Sequence, residues 1–295
     1  MTSIRFVAMA LVLGACTGLL LSGCSGGSPQ KTGKGDGAAV SAELQRFDGL
    51  QGKIDIAGGT AHIPVMEEAA KRIQTAFPEI RITVAGGGSG VGVEKVGQGL
   101  VQIGNTGRPL TQKEKDAHGL VTFPFAIDGV AVVVHPSNPV ADLTPAAARD
   151  ICAGEISNWK DAGGDDRPIN LYTRDEASGT REVFWEKLLA KGPIAEKANV
   201  VASNGAMKVA VTGDRGAIGY IGIGHIDDTV KALKVDDVEA SQANASSGKY
   251  PVVRKLYMNT KGKPSPLVQA FIDYIRGPEG AKLIEKAGYI PTQDE

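Results

Sequence analysis

Aromatic residues make up only 5% of this chain, it has three cysteines and four histidines, and neither sign of charge prevails, with 32 Lys and Arg against 33 Asp and Glu. Each scarcity excludes something. A nucleic-acid binder shows a basic stripe with aromatic stacking platforms, so no nucleic-acid partner is expected. With no global positive field, any anion site has to be assembled locally. The histidines, His62, His118, His135 and His225, lack His-x-x-x-His or a comparable ligand spacing, and each reads as a surface or internally satisfied residue. No metal and no cofactor is expected. A Walker A sequence and Gly-x-Gly-x-x-Gly are both missing, and neither Ser89 nor Ser178 sits in the Gly-x-Ser-x-Gly turn of a nucleophile elbow. Cys152 lies beside Ile151 in a helical pattern and reads as core.

Long apolar runs are few as well. Arg5 precedes the run Phe6 to Leu13, and Leu21-Ser22-Gly23-Cys24 follows. Interrupted by Gly14, Cys16 and Gly18, the segment is short for a spanning helix and reads as a secretory signal ending in a lipobox. Residues 1–23 are then removed and the Cys24 thiol carries the lipid. Only Cys24 and Cys152 survive such processing, so no disulfide framework can form. Ser25 to Gly37 is rich in Gly, Ser, Lys and Pro and reads as a flexible tether, the lipid-anchored linker running over 24–46. The remainder, from Phe47, has the length of about two ordinary domains and enough apolar content, 42%, for real cores.

Beyond Phe47 short apolar runs alternate with helical patterns, the signature of α/β architecture. Ile54 to Ala57, Ile80 to Val84, Val130 to Val134, Ile169 to Thr173 and Ile218 to Ile221 are strand candidates. Pro64 opens a helix whose Met66, Ala69, Ala70, Ile73 and Phe77 share one face. Val93, Val96 and Leu100 mark a second helix. Thr144-Pro145 caps a third that Gly154 ends, Thr180 to Ala190 forms a fourth, and two more begin near Pro266 and Pro278.

Three times a strand runs into glycine and hydroxyl residues that lead into a helix: Gly58-Gly59-Thr60, Gly87-Gly88-Ser89-Gly90 and Ala177-Ser178-Gly179-Thr180. Helix N-termini present unpaired N–H groups and a positive dipole end, and glycine lets an oxyanion approach the backbone. Each segment taken alone reads first as an ordinary N-cap. Arg174, four residues before Ser178, adds a planar fork suited to two oxygens of a tetrahedral anion, although it also has Asp175 and Glu176 as neighbours to pair with. Glu176 is expected to hold the guanidinium from behind.

Arg174-Asp175-Glu176-Ala177-Ser178-Gly179-Thr180 resembles the Arg-x-x-x-Ser-Gly-Thr segment of the substrate-binding proteins of phosphate-specific ABC transporters. Ile56 to Thr60, Gly87 to Gly90, Ile127 to Val132, His135 to Pro139, Gly154 to Trp159, Gly216 to Tyr220 and Gly288 to Pro291 agree in order, so the resemblance spans nearly all of residues 52–291. It implies a two-lobed type II periplasmic-binding-protein fold with the ligand cleft between lobes. Residues 47–127 and 223–295 are assigned to lobe 1 and 128–222 to lobe 2, with chain crossings near 126–129 and 221–224. Carried over by position, Thr60, Ser89, Ser178 and Thr180 supply hydroxyls, Ala61, Gly90 and Gly179 supply backbone N–H groups, and Arg174 is the charged clamp. Some members place an aspartate after the serine of Gly-Ala-Ser-Asp to accept the proton that phosphate carries. Here the matching stretch is Gly104-Asn105-Thr106-Gly107-Arg108, with no acid. Asp128 is expected to supply the acceptor, Thr106 to be an extra ligand, and Arg108 either to touch the anion or to balance Asp128.

The lipobox implies a lipoprotein of the cell envelope, facing the periplasm or exterior, the missing catalytic motifs a non-enzymatic one, and a monomer is expected. By the resemblance it would capture inorganic phosphate, close around it and pass it to ABC permease subunits. Binding of sulfate, molybdate or a phosphonate by the same cage, and phosphatase chemistry, are the competing readings.

Overall fold

A computed structural model describes residues 41–292. The expected signal peptide, Cys24 and residues 24–40 of the linker lie outside them. The first element among the described residues is a single 3-10 turn, Leu44–Phe47, which lays Leu44 and the fully buried Phe47 against a hydrophobic core.

The chain then runs through β1 (Gly52–Gly58), α1 (Ile63–Ala76), β2 (Ile80–Gly87), α2 (Ser89–Gly97), β3 (Ile103–Thr106), α3 (Gln112–His118) and the 15-residue β4 (Leu120–Val134). A second group follows: β5 (Asp142–Leu143), α4 (Pro145–Ala153), β6 (Asn170–Arg174), α5 (Gly179–Lys187), β7 (Asn199–Val201), α6 (Asn204–Gly213) and β8 (Ala217–Gly222). The short β9 (Lys231–Ala232), β10 (Lys234–Val235) and α7 (Gln242–Ser246) lead to β11 (Val253–Lys261), α8 (Pro266–Arg276), α9 (Pro278–Lys286) and β12 (Ile290–Pro291).

β4 organises the whole. Along the order β2-β1-β3-β11-β4-β8-β6-β7, its residues 120–129 pair antiparallel with β11 and its residues 130–134 pair antiparallel with β8. Two hydrophobic cores form on either side of that change of partner. One gathers Ile54, Ile56, Met66, Ile73, Phe125, Leu256, Phe271 and Tyr274; the other gathers Val130–Val134, Trp159, Phe184, Met207, Tyr220 and Val252. The continuous apolar run Val130–Val134, β-branched except at Ala131, is buried on both faces, as its sequence demands. The chain therefore has two lobes, joined where β4 and β11 pass from one core to the other.

That placement moves the second crossing. Val230, Leu233, Val235, Ala240, Tyr250 and Val252 pack in the core of Val130–Val134, so residues 230–252 do not join the first core as the boundary at 223 supposes. The return strand is β11, whose Arg254-x-Leu256-x-Met258 alternation buries every second residue. Its charged and polar residues hide it from a search for apolar runs.

Local signals explain most other elements. α1 has Pro64 in its first turn and buries Val65, Met66, Ala69, Ala70 and Ile73. Thr144 accepts the N–H of Ala147 and Gly154 closes α4 in the left-handed region at φ 84°. Leu100 departs from expectation: α2 stops at Gly97, and Leu100 stands 62% exposed beyond it. Cys152 is buried and free, and burial pushes its thiol up to about 12, which leaves it inert. No helix among the described residues is long and apolar enough to cross a membrane.

Phe271, fully buried on α8, should cost about 3–5 kcal/mol when replaced by alanine, whereas Val209→Ala, at a 72% exposed position, should stay within about 0.5 kcal/mol. Denaturant unfolding of the two variants checks both.

Candidate functional site

Where the lobes face each other, Gly59, Thr60, Ala61, His62, Gly88, Ser89, Gly107, Arg174, Ser178, Gly179, Thr180 and Arg254 line a small cavity. The three glycine and hydroxyl segments singled out in the sequence thus converge on one place. Thr60, Ala61, Ser89, Arg174, Ser178, Gly179 and Thr180 are brought together there.

Arg174 ends β6 and is only 2% exposed. Tyr220 fixes its backbone: the phenol oxygen accepts the Arg174 N–H at 3.0 Å, lies 2.9 Å from Thr173 Oγ1, and its ring stacks on Phe184 with centroids 4.1 Å apart. One guanidinium nitrogen, Nη2, donates to the Ala202 carbonyl at 3.0 Å. Nε and Nη1 are buried with no partner at all. Burial pulls this guanidinium below its ordinary pKa, the mark of a charge whose counter-ion is missing. An unpaired buried donor costs on the order of 1–3 kcal/mol, so two on one guanidinium define an anion-binding position.

The four hydroxyls are arranged alike. Thr60 Oγ1 accepts from Asn204 N and Nδ2 (3.3 and 3.1 Å), Ser89 Oγ from Gly107 N (3.0 Å), Ser178 Oγ from Arg181 N (3.2 Å) and Thr180 Oγ1 from Arg254 Nη1 (2.9 Å). In each case a protein donor occupies the oxygen and leaves the O–H to point elsewhere. At the head of α5, the N–H groups of Gly179 and Thr180 are among those a helix leaves without intrahelical partners. No carboxylate lines the cavity. The wall is a set of donors around a small space, which suits a compact anion with several oxygens.

The lobes are already in contact. Gly90 N donates to the Ala177 carbonyl at 3.0 Å, Arg108 Nε lies 2.6 Å from Glu182 Oε2, and Asn204 reaches Thr60. Gly88, at φ 90°, is required here: a Cβ would stand 2.7 Å from the Ala177 carbonyl oxygen. A Cβ on Gly179 would meet Ser89 Oγ at 2.2 Å.

Several expectations are corrected. Asp128 does not line the cavity. It is 1% exposed and both its oxygens are engaged: Oδ2 accepts from Arg254 Nε and Nη2 (2.9 and 2.7 Å), and Oδ1 accepts from Ile223 N at 3.1 Å. Burial pushes its carboxyl up, against the pull of the Arg254 guanidinium. Thr106 is also committed, donating to the Arg108 carbonyl and accepting from Asn259 Nδ2. The Gly90 N–H is spent on Ala177. Arg108 neither touches the cavity nor balances Asp128, because Glu114 takes it at 2.8 and 2.7 Å and Glu182 at 2.6 Å. Glu176 is exposed, and the Ala202 carbonyl does the holding expected of it. His62 is not at the surface and not satisfied: it is fully buried with Nδ1 unpartnered.

Sequence reasoning missed Arg254, Asn204 and Gly107. Arg254 left one trace, a cation in the buried phase of an alternating strand. Asn204 and Gly107 left none, since each acts on a hydroxyl far away in sequence. Among the described residues no cluster of His, Cys, Asp or Glu is built to hold a metal ion.

The Arg108–Glu182 pair joins α5 to the segment before α3, so Glu182→Gln should leave folding intact and speed ligand release several-fold. Stopped-flow dissociation and thermal unfolding of the variant check the two parts.

A model of the PBP superfamily domain matches residues 36–279. The phosphate-binding protein PstS of Bacillus subtilis is 32% identical over 287 residues, covering 96% of this chain and 93% of that one. A solved phosphate ABC transporter substrate-binding protein from Clostridium perfringens, with bound phosphate, is 35% identical with a TM-score of 0.77, over 82% of this chain and all of that one. An ABC-type phosphate transport receptor from Vibrio cholerae is 33% identical with a TM-score of 0.66, over 80% and 99%. With its two lobes, its donor-lined cavity and these relatives, the chain belongs to the PBP superfamily and, within it, to the family of phosphate ABC transporter substrate-binding proteins.

Proposed function

We propose that this protein captures inorganic phosphate between its lobes and delivers it to an ABC transporter permease. The observation that carries the reading is Arg174, buried with Nε and Nη1 unpartnered, facing four hydroxyls whose oxygens are already taken. Two oxygens of one phosphate satisfy the guanidinium, and Thr60, Ser89, Ser178, Thr180 and the amides of Ala61, Gly179 and Thr180 serve the rest. The relative from Clostridium perfringens, solved with phosphate, supports the choice of anion.

Binding and closure are one event. Residues 44–127 and 255–292 act as one lobe and 128–253 as the other, with β4 and β11 as the double hinge. Thr60 and Ser89 sit on the first lobe, Arg174 and Ser178 on the second. Only the closed form lets a single anion meet all of them, so phosphate shifts the population toward closure, and the permease reads the closed shape. The chain works as a monomer, held at the outer side of the membrane by lipid on Cys24 after removal of residues 1–23. It has no enzymatic role. Among the described residues the site holds no general base poised at a hydroxyl, which disfavours any of the hydroxyls as a nucleophile.

Calorimetry on the soluble fragment should show phosphate binding, and Arg174→Ala should weaken it at least 100-fold, about 3 kcal/mol for two lost charge-assisted bonds. Failure of the wild type to bind phosphate, or release of product from a phosphate ester that disappears in Ser178→Ala, would overturn the reading. Scattering profiles should contract on adding phosphate; identical profiles would refute closure.

A further inference from the structure

A phosphate near neutral pH still carries a proton, and its buried O–H needs an acceptor. Among the cavity-lining residues there is no carboxylate to receive it, and Asp128, behind the wall, is consumed by Arg254 and the Ile223 N–H. Asn105 Oδ1 is buried and unpartnered as well, but Asn105 is not part of the lining. Among the lining side chains, His62 carries a buried ring nitrogen with no partner at all. His62 is fully buried, stacks obliquely against Phe125 with centroids 5.4 Å apart, and places Nε2 3.2 Å from the Tyr257 carbonyl oxygen. A carbonyl can only accept, so Nε2 carries the proton and Nδ1 bears the lone pair. That nitrogen is buried and has no partner.

Resting on the phosphate reading of the cavity, we infer that His62 Nδ1 accepts the hydrogen bond from the protonated oxygen of the bound anion and so sets the preference for phosphate over sulfate. The charged and polar groups facing the ring favour the neutral form this requires. Burial and the nearby Arg254 charge hold the imidazole down at about 3, outweighing the carbonyls of Tyr257, Gly59 and Thr106, which would favour a second proton. Gly59 leaves the Nδ1 edge open: a Cβ there would stand 2.7 Å from Nδ1. Sulfate, without a proton at neutral pH, would leave this lone pair buried and unmet, whereas a ligand O–H satisfies it. His62 is thereby a specificity-determining residue that stands in the place of the aspartate lacking from the segment 104–108.

The test compares phosphate and sulfate affinities of the wild type, His62→Leu and His62→Asn at pH 8, together with the nitrogen-15 spectrum of the wild-type histidines. Wild type should prefer phosphate by at least about 100-fold. His62→Leu should lose roughly 10- to 100-fold of that preference, chiefly through weaker phosphate binding, and His62→Asn, whose amide oxygen can occupy the Nδ1 position, should keep more of it. The Nδ1 resonance of His62 should move toward the hydrogen-bonded value on saturation with phosphate and not with sulfate. An unchanged preference in His62→Leu, or an unmoved Nδ1 resonance at saturating phosphate, would overturn the inference while leaving phosphate capture intact; the spectrum decides even if the leucine variant does not fold. A wild type that binds sulfate as tightly as phosphate would overturn it too. Absence of any phosphate binding would instead strike the underlying reading.

Discussion

The ion pair of Asp128 and Arg254 is the constraint on which the rest depends. The two residues are cross-strand partners in β4 and β11, the two strands that pass between the cores, and their side chains are almost completely buried. A buried pair of this kind contributes little net stability, but loss of either partner strands a charge and costs about 3–5 kcal/mol. Its value is in position. Arg254 is held so that Nη1 reaches Thr180 at the head of α5, and Asp128 is held so that Oδ1 takes the Ile223 N–H just after β8. One carboxylate thus ties together both crossing strands and the segment leaving β8. Because Asp128 cancels the charge of Arg254, the uncompensated positive charge at the cavity wall is that of Arg174.

The wall has a consistent chemical logic. Each hydroxyl has a protein N–H on its oxygen, which orients its proton away from that donor. Donors fixed in this way are already oriented once the lobes are together, so part of the electrostatic work is done in folding. The same arrangement separates this site from a hydrolytic one, where a hydroxyl must be able to give its proton to a neighbouring base. Here the only neutral base in the lining, His62, is anchored to Tyr257 and sits among carbonyls.

How much of this was legible in the sequence varied with the range of the interaction. Helix starts at Pro64, Thr144-Pro145, Pro266 and Pro278 were readable because caps and prolines act within one turn. The three glycine and hydroxyl segments were readable for the same reason, and the structure gathers them around one cavity. The role of Asp128 was misread because its partner lies 126 residues away on a strand that carries no apolar run. β11 itself was hidden: Arg254, Lys255 and Asn259 interrupt its hydrophobicity, and its burial pattern emerges only when β3 and β4 close on it. Gly90 and Thr106 were assigned to the ligand by position and Arg108 to the ligand or to Asp128, yet each is captured by another protein partner, namely Ala177, Asn259 and the two glutamates Glu114 and Glu182. Sequence shows which groups can bind an anion; it does not show which have already been claimed.

The meeting of Gly88 with the Ala177 carbonyl has a mechanical consequence. At that point the lobes touch backbone to backbone, with no side chain between them to compress or swing aside. In the proposed closure this contact is a hard stop, with the gap between the jaws set by peptide geometry. The proposed motion would then work as a calliper with a single setting: an anion that fits would let the jaws seat, and one too wide would hold them ajar.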